Sequence, residues 1–269
     1  MSSLGKTCRL ADPAPLEDDL FYVWRKALRG NGMDIAGLAQ RCGVEPTAIE
    51  ALISGQAEPA LIAAAVRVLG LQADPIIRHS SYRPQVPHIH GVMRLQLPFE
   101  GDWVNAWLIR DEDQTLLFDA GFERDSARTV LQTMGIAPLD LFITHDHRDH
   151  VGGVPGLRPL VKKHHEVSHG QTLRMGALEI KCIDLSGHCL PTFGFVISGL
   201  SKKLCVVGDA LFAGSIGGCA DPFTYQMALR NLQHHVMSLD DDVILLPGHG
   251  PATTVGQEKR GNPFVASGI

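Results

Sequence analysis

The sequence lacks the long apolar run that a membrane-spanning helix requires. Although 45% of its 269 residues are hydrophobic, none of its stretches approaches the roughly 18 unbroken apolar residues of such a helix. Residues 1–9 likewise contain no continuous apolar segment of the kind that a secretory signal carries. We therefore expect a cytoplasmic protein that has no membrane partner.

The sequence also lacks a large excess of charge of one sign and closely spaced pairs of cysteines. The formal net charge of -5 at pH 7 gives no reason to expect non-specific binding to nucleic acid or to anionic lipid. The six cysteines are scattered along the chain without a C-x-x-C pair. In a chain of this length, such cysteines indicate free thiols in a reducing compartment rather than a disulfide framework.

The hydrophobic pattern of the sequence changes along the chain. Residues 1–72 predict a small all-α domain, because apolar residues recur at helical spacing and glycine turns separate the runs. Residues 73–87 are rich in proline and predict an irregular linker. Residues 88–269 change to short β-runs with glycine turns and predict a mixed α/β domain. The predicted helices cover residues 20–28, 35–42, 47–53, 59–69 and 126–134, and the predicted strands cover residues 92–97, 103–109, 115–118, 139–143, 178–183, 204–208 and 243–246.

Residues 38–55 resemble the Cro/C1 repressor type of helix-turn-helix domain, in which a short glycine turn joins two helices. The candidate recognition helix, residues 46–54, carries Thr47 and Glu50 but no lysine or arginine. A recognition helix needs polar or basic side chains for base edges and cations for phosphates. We therefore expect that nucleic acid is not a partner, and that the helical region supports homo-oligomer formation or covers an active site. A DNA-binding regulator that senses a metal or a metabolite is the alternative.

A dense cluster of metal-binding side chains lies in residues 144–150, whose sequence is THDHRDH. The cluster follows an apolar strand and precedes two glycines, where a helix could start. His145 and His147 project the same way from an extended backbone, so they can bind one metal. Asp149 and His150 come after the turn and can face a second metal.

Three further metal-binding side chains follow apolar strands later in the sequence. They are His188, Asp209 and His249, and each has a glycine beside it that permits an unusual backbone conformation. Strand ends are where α/β sheets present functional side chains. We therefore expect these three residues to join the first cluster in one metal centre.

The order of these residues resembles the metallo-β-lactamase superfamily. Its pattern is His-x-His-x-Asp-His, then a histidine after glycine, an aspartate after a glycine-ended strand and a final Gly-His, all present in residues 88–269. The resemblance implies a four-layer αββα fold, preceded here by the small all-α helix-turn-helix-like domain. It also implies that one metal is bound by His145, His147 and His188, a second by Asp149, His150 and His249, and that Asp209 bridges the two.

Two divalent cations are the cofactors that this resemblance implies. Neutral imidazoles and carboxylates without a thiolate suit zinc, iron or manganese, and zinc is our first expectation. Two cations about 3.5–4 Å apart can share one water and lower its pKa from 15.7 to about 7. The expected reaction is hydrolysis by a metal-bound hydroxide, with Asp149 as the catalytic residue. No serine or cysteine nucleophile is required, so Cys189 is expected to pack beside its neighbouring ligand rather than to react.

Two segments resemble the short bacterial type of the glyoxalase II group, the hydroxyacylglutathione hydrolases. They are residues 208–217 (GDALFAGSIG) and 246–256 (LPGHGPATTVG). The resemblance implies a small-molecule thioester or ester substrate, because enzymes of that group cleave the thioester of S-lactoylglutathione. The sequence departs from the group at Gly218, where arginine is usual, and in residues 186–191 (SGHCLP), where PGHTPG is usual.

Other reactions on the same scaffold remain open. Persulfide dioxygenases bind one iron through two histidines and an aspartate, which correspond here to His145, His188 and Asp209. Lactone hydrolysis is a third enzymatic alternative.

For some further polar side chains the sequence predicts a role less specifically. Tyr225 is a candidate for a substrate hydrogen bond, with a packed helix residue as its alternative interpretation. The histidine pairs at residues 164–165 and 234–235 are expected on the solvated surface.

Overall fold

The structure, a computed structural model, describes residues 5–112 and 114–266. Its helices are α1 Leu20–Gly30, α2 Ile35–Cys42, α3 Pro46–Ile53, α4 Pro59–Leu69, α5 Ala73–Arg78, α6 Ser126–Thr133, α7 Arg148–Val151, α8 Val154–Leu157, α9 Pro222–Asn231 and α10 Val255–Gly261. Its strands are β1 Lys6–Arg9, β2 Val92–Phe99, β3 Asp102–Asp111, β4 Gln114–Phe118, β5 Leu139–Phe142, β6 Val161–His164, β7 Thr172–Met175, β8 Leu178–Asp184, β9 Phe193–Ser198, β10 Leu204–Gly208, β11 Leu211–Phe212, β12 Ser215–Ile216, β13 Ile244–Pro247 and β14 Thr253–Thr254. No helix in this described part of the chain is long and apolar enough to cross a membrane.

Two six-stranded sheets form the centre of the molecule. In the first sheet the strand order is β1-β2-β3-β4-β5-β6; β1 to β4 are antiparallel neighbours, whereas β4, β5 and β6 run parallel. In the second sheet the order is β14-β13-β10-β9-β8-β7, and only the β10–β13 pair is parallel. A parallel pair aligns its carboxyl ends at one edge, and these edges carry the candidate site.

Apolar side chains hold the two sheets face to face. Trp107, Phe118 and Phe142 of the first sheet share a buried cluster with Phe195 and Val206 of the second. Burial of aromatic rings removes large apolar areas from water, at roughly 25 cal/mol for each Å². This cluster therefore fixes the distance between the sheets and, with it, the position of the loops that follow the strands.

Helices cover the outer faces of both sheets. The first sheet packs on α6 and α8 through a cluster that includes Leu117, Leu131 and Leu157. The second sheet shares a cluster with α9, α10 and the helices α1 to α5, in which Val207 and Leu245 are buried. The two facing sheets and their covering helices confirm the predicted mixed α/β fold.

Within the predicted all-α domain, the segment Lys6–Arg9 forms a strand. β1 pairs antiparallel with β2, and Lys6 lies opposite Gln96. Four residues are too few for an alternating pattern to emerge, so β1 could not be predicted from periodicity. The helices α1 to α4 that follow agree with the predicted helical segments.

Part of the predicted irregular linker is also helical. Residues 73–81 form α5 and a 3₁₀ turn, so the prediction is wrong for this stretch. Pro75 lies in the first turn of α5, where backbone N–H groups have no acceptor within the helix and proline therefore costs no hydrogen bond. Pro75 and Ile76 are buried, so this segment packs against the rest of the protein.

Candidate metal centre

Strand ends bring the predicted ligand residues together. His145 follows β5, Asp209 follows β10 and His249 follows β13. His188 lies in the turn between β8 and β9. The helix that was expected after the histidine motif begins earlier, at Arg148, so Asp149 and His150, which were expected after the turn, lie on α7. The helical turn directs both side chains back toward the strand ends.

Three imidazole nitrogens converge at one end of the site. His147 Nδ1 lies 3.1 Å from His145 Nε2 and 3.0 Å from His188 Nε2. Nitrogen atoms at these distances face a common point, as the donors of one metal ion do. Three histidines are a donor set that zinc accepts in catalytic sites.

A second group of side chains lies directly beside the first. The ligand atoms of Asp149, His150, Asp209 and His249 all lie within 4.8 Å of one another. His249 Nε2 is 3.1 Å from Asp149 Oδ2, and His150 Nε2 is 3.2 Å from Asp209 Oδ1. The structure therefore places all seven predicted residues in two adjoining groups.

Asp209 lies between the two groups. Its Oδ2 atom is 3.7 Å from His188 Nε2 in the first group and 3.6 Å from His249 Nε2 in the second. Asp209 Oδ1 and His150 Nε2 are both buried and make no hydrogen bond in the described part of the chain. A buried polar atom without a partner costs about 1–3 kcal/mol, and a cation bound between these atoms would satisfy both. The residues therefore fit a metal.

Backbone carbonyls orient two of the histidines from behind. His188 Nδ1 donates to the Gly218 carbonyl at 2.7 Å, and His249 Nδ1 donates to the Trp103 carbonyl at 3.1 Å. A carbonyl can only accept, so each Nδ1 carries a proton and Nε2 is the ring atom that faces the site. Such rear contacts fix the tautomer of metal-binding histidines.

Asp119 is a functional residue that the sequence pattern did not reveal. Its carboxylate accepts hydrogen bonds from His150 Nδ1 at 2.8 Å and from the backbone N–H of Thr144 at 2.8 Å. The Thr144 hydroxyl donates to Asp119 and lies 3.0 Å from His145 Nδ1. Asp119 thus orients one histidine of each group. The only sequence clue is its position after an apolar strand and before an alanine, which resembles the setting of Asp209.

Electrostatics within the cluster hold the ligands in defined charge states. Burial opposes ionisation of Asp209, but the charges of His150 and His249 outweigh it and lower its pKa well below the usual range. Burial also opposes protonation of His249, yet Asp209 and Asp149 raise its pKa to about 9. For His150, Asp209 and Asp119 outweigh burial and raise the pKa well above its usual value. Burial lowers the pKa of His145 to about 3.

These shifts predict that metal loading of the metal-free protein releases protons. At pH 7 His150 and His249 are protonated, because their pKa values are raised, and each must lose its proton to bind a cation. We expect release of about two protons per chain from these imidazoles and up to about one more from a metal-bound water, and metal affinity that rises with pH until His249 deprotonates near pH 9. Calorimetric titration with Zn²⁺ in buffers of different ionisation enthalpy measures this number. The variant His249→Ala should release one proton fewer, and loading at pH 7 without proton release would contradict the prediction.

The remaining predicted side chains take different positions. Tyr225 is buried, and a Cβ atom on Gly30 would lie 2.4 Å from its ring. This position fits the packed-residue alternative better than a substrate contact. The Sγ atom of Cys189 donates to Asp146 Oδ1 at 3.1 Å, and burial together with that carboxylate raises the pKa of the thiol. A raised pKa disfavours the thiolate, which supports the expectation that Cys189 does not react.

His165 does not lie on the solvated surface, so that prediction is wrong. It is buried, its Nε2 atom is 2.7 Å from Asp140 Oδ1, and its ring stacks on Phe142 at 4.4 Å. Its backbone N–H donates to the carbonyl of Leu141. Continuation of the β5–β6 pairing therefore turns this side chain inward, whereas His164 is exposed.

Comparisons with known proteins agree with this geometry. Residues 101–183 match the family model of the metallo-beta-lactamase superfamily. The chain is 27% identical over 192 residues to hydroxyacylglutathione hydrolase GloC of Haemophilus influenzae, covering 58% of this chain and 90% of that protein. ETHE1 from Myxococcus xanthus has a similar structure, with a TM-score of 0.54 and 24% identity over 65% of this chain and 85% of that one. The B3 metallo-beta-lactamase BLEG-1 also gives a TM-score of 0.54, with 23% identity over 64% and 99% of the two chains.

The match of residues 101–183 to the family model agrees with the predicted superfamily, and the similar solved structures support the two-sheet fold. The class of site that the geometry defines is thus a candidate centre for metal ions, built from two groups of His and Asp side chains. The chain has hydroxyacylglutathione hydrolases among its relatives.

Proposed function

We propose that the protein is a dinuclear metallohydrolase that cleaves a thioester or a related ester of a small molecule. His145, His147 and His188 would bind one divalent cation, and Asp149, His150 and His249 would bind the other, with Asp209 shared between them. The observation that carries this proposal is the position of Asp209, whose carboxylate lies within 3.7 Å of ligand nitrogens from both groups. A carboxylate with two oxygens can bind two cations at once, so a shared aspartate favours a two-metal site.

The donor atoms also limit the metal. The seven residues supply imidazole nitrogens and carboxylate oxygens only, with no thiolate. Such a set suits zinc, iron or manganese, and we propose zinc. When bound, the two cations would supply a hydroxide nucleophile at neutral pH and polarise the substrate carbonyl.

The chain's own residues orient these ligands and shape the site. Asp119, Thr144 and the carbonyl of Gly218 fix the imidazole rings from behind. Beside the site, the Phe99 ring lies 5.3 Å from Phe122 and 5.8 Å from His249. This apolar wall would exclude water from one side of the reacting group and accept an uncharged part of the substrate.

The relative from Haemophilus influenzae supports a thioester substrate, since its name describes a hydrolase of hydroxyacylglutathione. Residues 186–191 and Gly218 depart from the glyoxalase II pattern at the loops that carry or orient His188. We therefore propose thioester or ester cleavage as the reaction class, with S-lactoylglutathione as the first substrate to test.

The N-terminal helices are proposed to support the hydrolase rather than to read DNA. The exposed side chains of α3 include Thr47 and Glu50 but no cation, and its apolar residues pack in the cluster that covers the second sheet. The helix-turn-helix interpretation and homo-oligomer formation stay predictions. Sequence-specific binding to DNA at low salt would contradict this proposal and favour a regulator.

Metal analysis combined with substrate turnover tests the proposed function. We expect about two metals per chain and hydrolysis of S-lactoylglutathione. Asp149→Ala should lose one metal and lower kcat/KM by at least about a hundredfold, because it removes a ligand of the second cation. Asp146→Ala is the matched control, since this exposed neighbour is not in either ligand group. One iron per chain with oxygen consumption on glutathione persulfide would overturn the proposal in favour of a dioxygenase.

A further inference from the structure

One face of helix α1 lies against the segment that connects the metal centre to α9. Arg29 Nε donates to the carbonyl of Ala220 at 3.3 Å, and the ring of Tyr225 occupies the space where Gly30 would carry a Cβ atom. Lys26 lies on the same face, because residues three and four apart on a helix are neighbours. The N-terminal helical region therefore contacts the hydrolase domain right beside its candidate site.

The ammonium group of Lys26 is held in a fixed position. Its Nζ atom donates to the Ile216 carbonyl at 2.9 Å, pairs with the carboxylate of Asp18 and lies 4.8 Å from the centre of the Phe212 ring. The Lys26 side chain is 17% exposed and that of Asp18 is 6% exposed. A lysine with all its interactions directed into the protein acts on the backbone it contacts rather than on a substrate.

The backbone that Lys26 contacts leads directly to His188. Two residues after Ile216, the Gly218 carbonyl accepts the Nδ1 proton of His188 at 2.7 Å. Between them the turn is tight, because a Cβ atom on Gly217 would lie 1.9 Å from the backbone oxygen of Asp209. A displacement at Ile216 is therefore transmitted to the carbonyl that orients His188.

We propose that Lys26 is a positioning residue of the metal centre, which fixes the turn at residues 216–218 and thereby the orientation of His188. This inference rests on the proposed function, since it takes His188 as a metal ligand. It also explains the unusual Gly218. A Cβ atom there would find the Lys26 side chain 3.9 Å away as its nearest neighbour, so a cation from α1 lies next to the position where the glyoxalase II group carries its arginine.

Metal titration of the full-length, metal-free protein tests this proposal. We expect Lys26→Met to weaken one of the two metal-binding steps about tenfold, at the lower end of the range for residues that orient a ligand. The other step should change less, because two of its ligands, Asp149 and His150, lie on α7 rather than beside the 216–218 turn. Co²⁺ as the probe also gives an absorption spectrum of each site, and the spectrum of the weakened site should change. At saturating metal, turnover should return to within twofold of the original protein, as a positioning role requires.

Two further variants separate positioning from general destabilisation. Lys26→Arg keeps the charge and the donor groups and should restore most of the affinity. Arg25→Met is the matched control, since Arg25 is an exposed cation on the same helix that lies over the ring of Phe21. Asp18→Asn, which removes the ion-pair partner of Lys26, should cause a smaller loss at the same site and keeps the proposal testable if Lys26→Met does not fold.

Three results would overturn the inference. Both metal affinities of Lys26→Met within twofold of the original protein would exclude a positioning role. An equal loss at both sites that Arg25→Met shares would indicate general destabilisation. Turnover that stays low at saturating metal would show that Lys26 contacts the substrate. In each case an original protein that binds two metals and hydrolyses the thioester leaves the proposed function intact, so the two failures are distinguishable.

Discussion

Replacing Asp209 with asparagine is expected to lower kcat/KM by about a thousandfold or more and to reduce metal content from about two ions per chain to one or fewer. Asparagine keeps the shape of the side chain but removes the negative charge and one of the two carboxylate oxygens. Metal ions contribute several kcal/mol of transition-state stabilisation, and each 1.36 kcal/mol corresponds to about tenfold in rate. Metal analysis after dialysis and steady-state turnover measure the two effects.

The control for this variant is Asp242→Asn, which removes the same charge from an exposed ion pair with Lys202. It should keep both metals and its turnover. Because buried Asp209 also contacts His150 and His249, the fold of Asp209→Asn must be compared with that of the original protein by circular dichroism. A folded Asp209→Asn that retains two metals and turnover within tenfold of the original would contradict the shared-ligand arrangement.

The candidate ligands could be recognised in the sequence because they are metal-binding residue types in or after segments that follow apolar strands, whereas their division into two groups came from the resemblance to the superfamily. Apolar strands such as β10 and β13 are recognisable by their continuous hydrophobic runs, and buried parallel strands require such runs. The motif around His145 adds a spacing that an extended backbone converts into a common direction. Local patterns therefore carried enough information to place Asp209 and His249 in the same site.

The residues that orient the ligands could not be predicted in this way. Asp119 has a positive φ of 66°, and in the sequence the Asp-Ala-Gly segment resembles an ordinary turn. Its role depends on Thr144 and His150, which come from the end of β5 and from α7. Such contacts arise between segments distant in sequence and have no periodic pattern. The contacts of the Trp103 and Gly218 carbonyl groups are still harder to predict, because every residue has a backbone carbonyl whatever its side chain.

The position of the helical region relative to the candidate site could not be predicted from the sequence either. Apolar spacing predicted α1, but its contact with the metal-site segment depends on the small size of Gly30 and on the carbonyl of Ile216. The departure at Gly218 was visible in the sequence, whereas the position of Lys26 beside it is visible only in the fold. A change in one segment and its counterpart in another can be connected only when the structure brings the two together.

Replacing Gly248 with alanine is expected to disrupt the second metal-binding group without removing any ligand. A Cβ atom at this position would lie 2.1 Å from Asp209 Oδ1 and 2.7 Å from His150 Cε1. Contacts that short force both ligands to move, and a misplacement of about 1 Å can cost about a hundredfold in rate. We expect loss of at least one metal and a comparable fall in kcat/KM, measured by metal analysis and turnover.

Gly218→Ala is the matched control, because it adds the same methyl group in the other metal-site loop, where the nearest atom is 3.9 Å away. Neither glycine has a positive φ, so the two variants differ in available space rather than in backbone strain. If Gly248→Ala kept both metals and full turnover, the side chains of Asp209 and His150 would have to lie farther from the 247–250 turn than the structure places them.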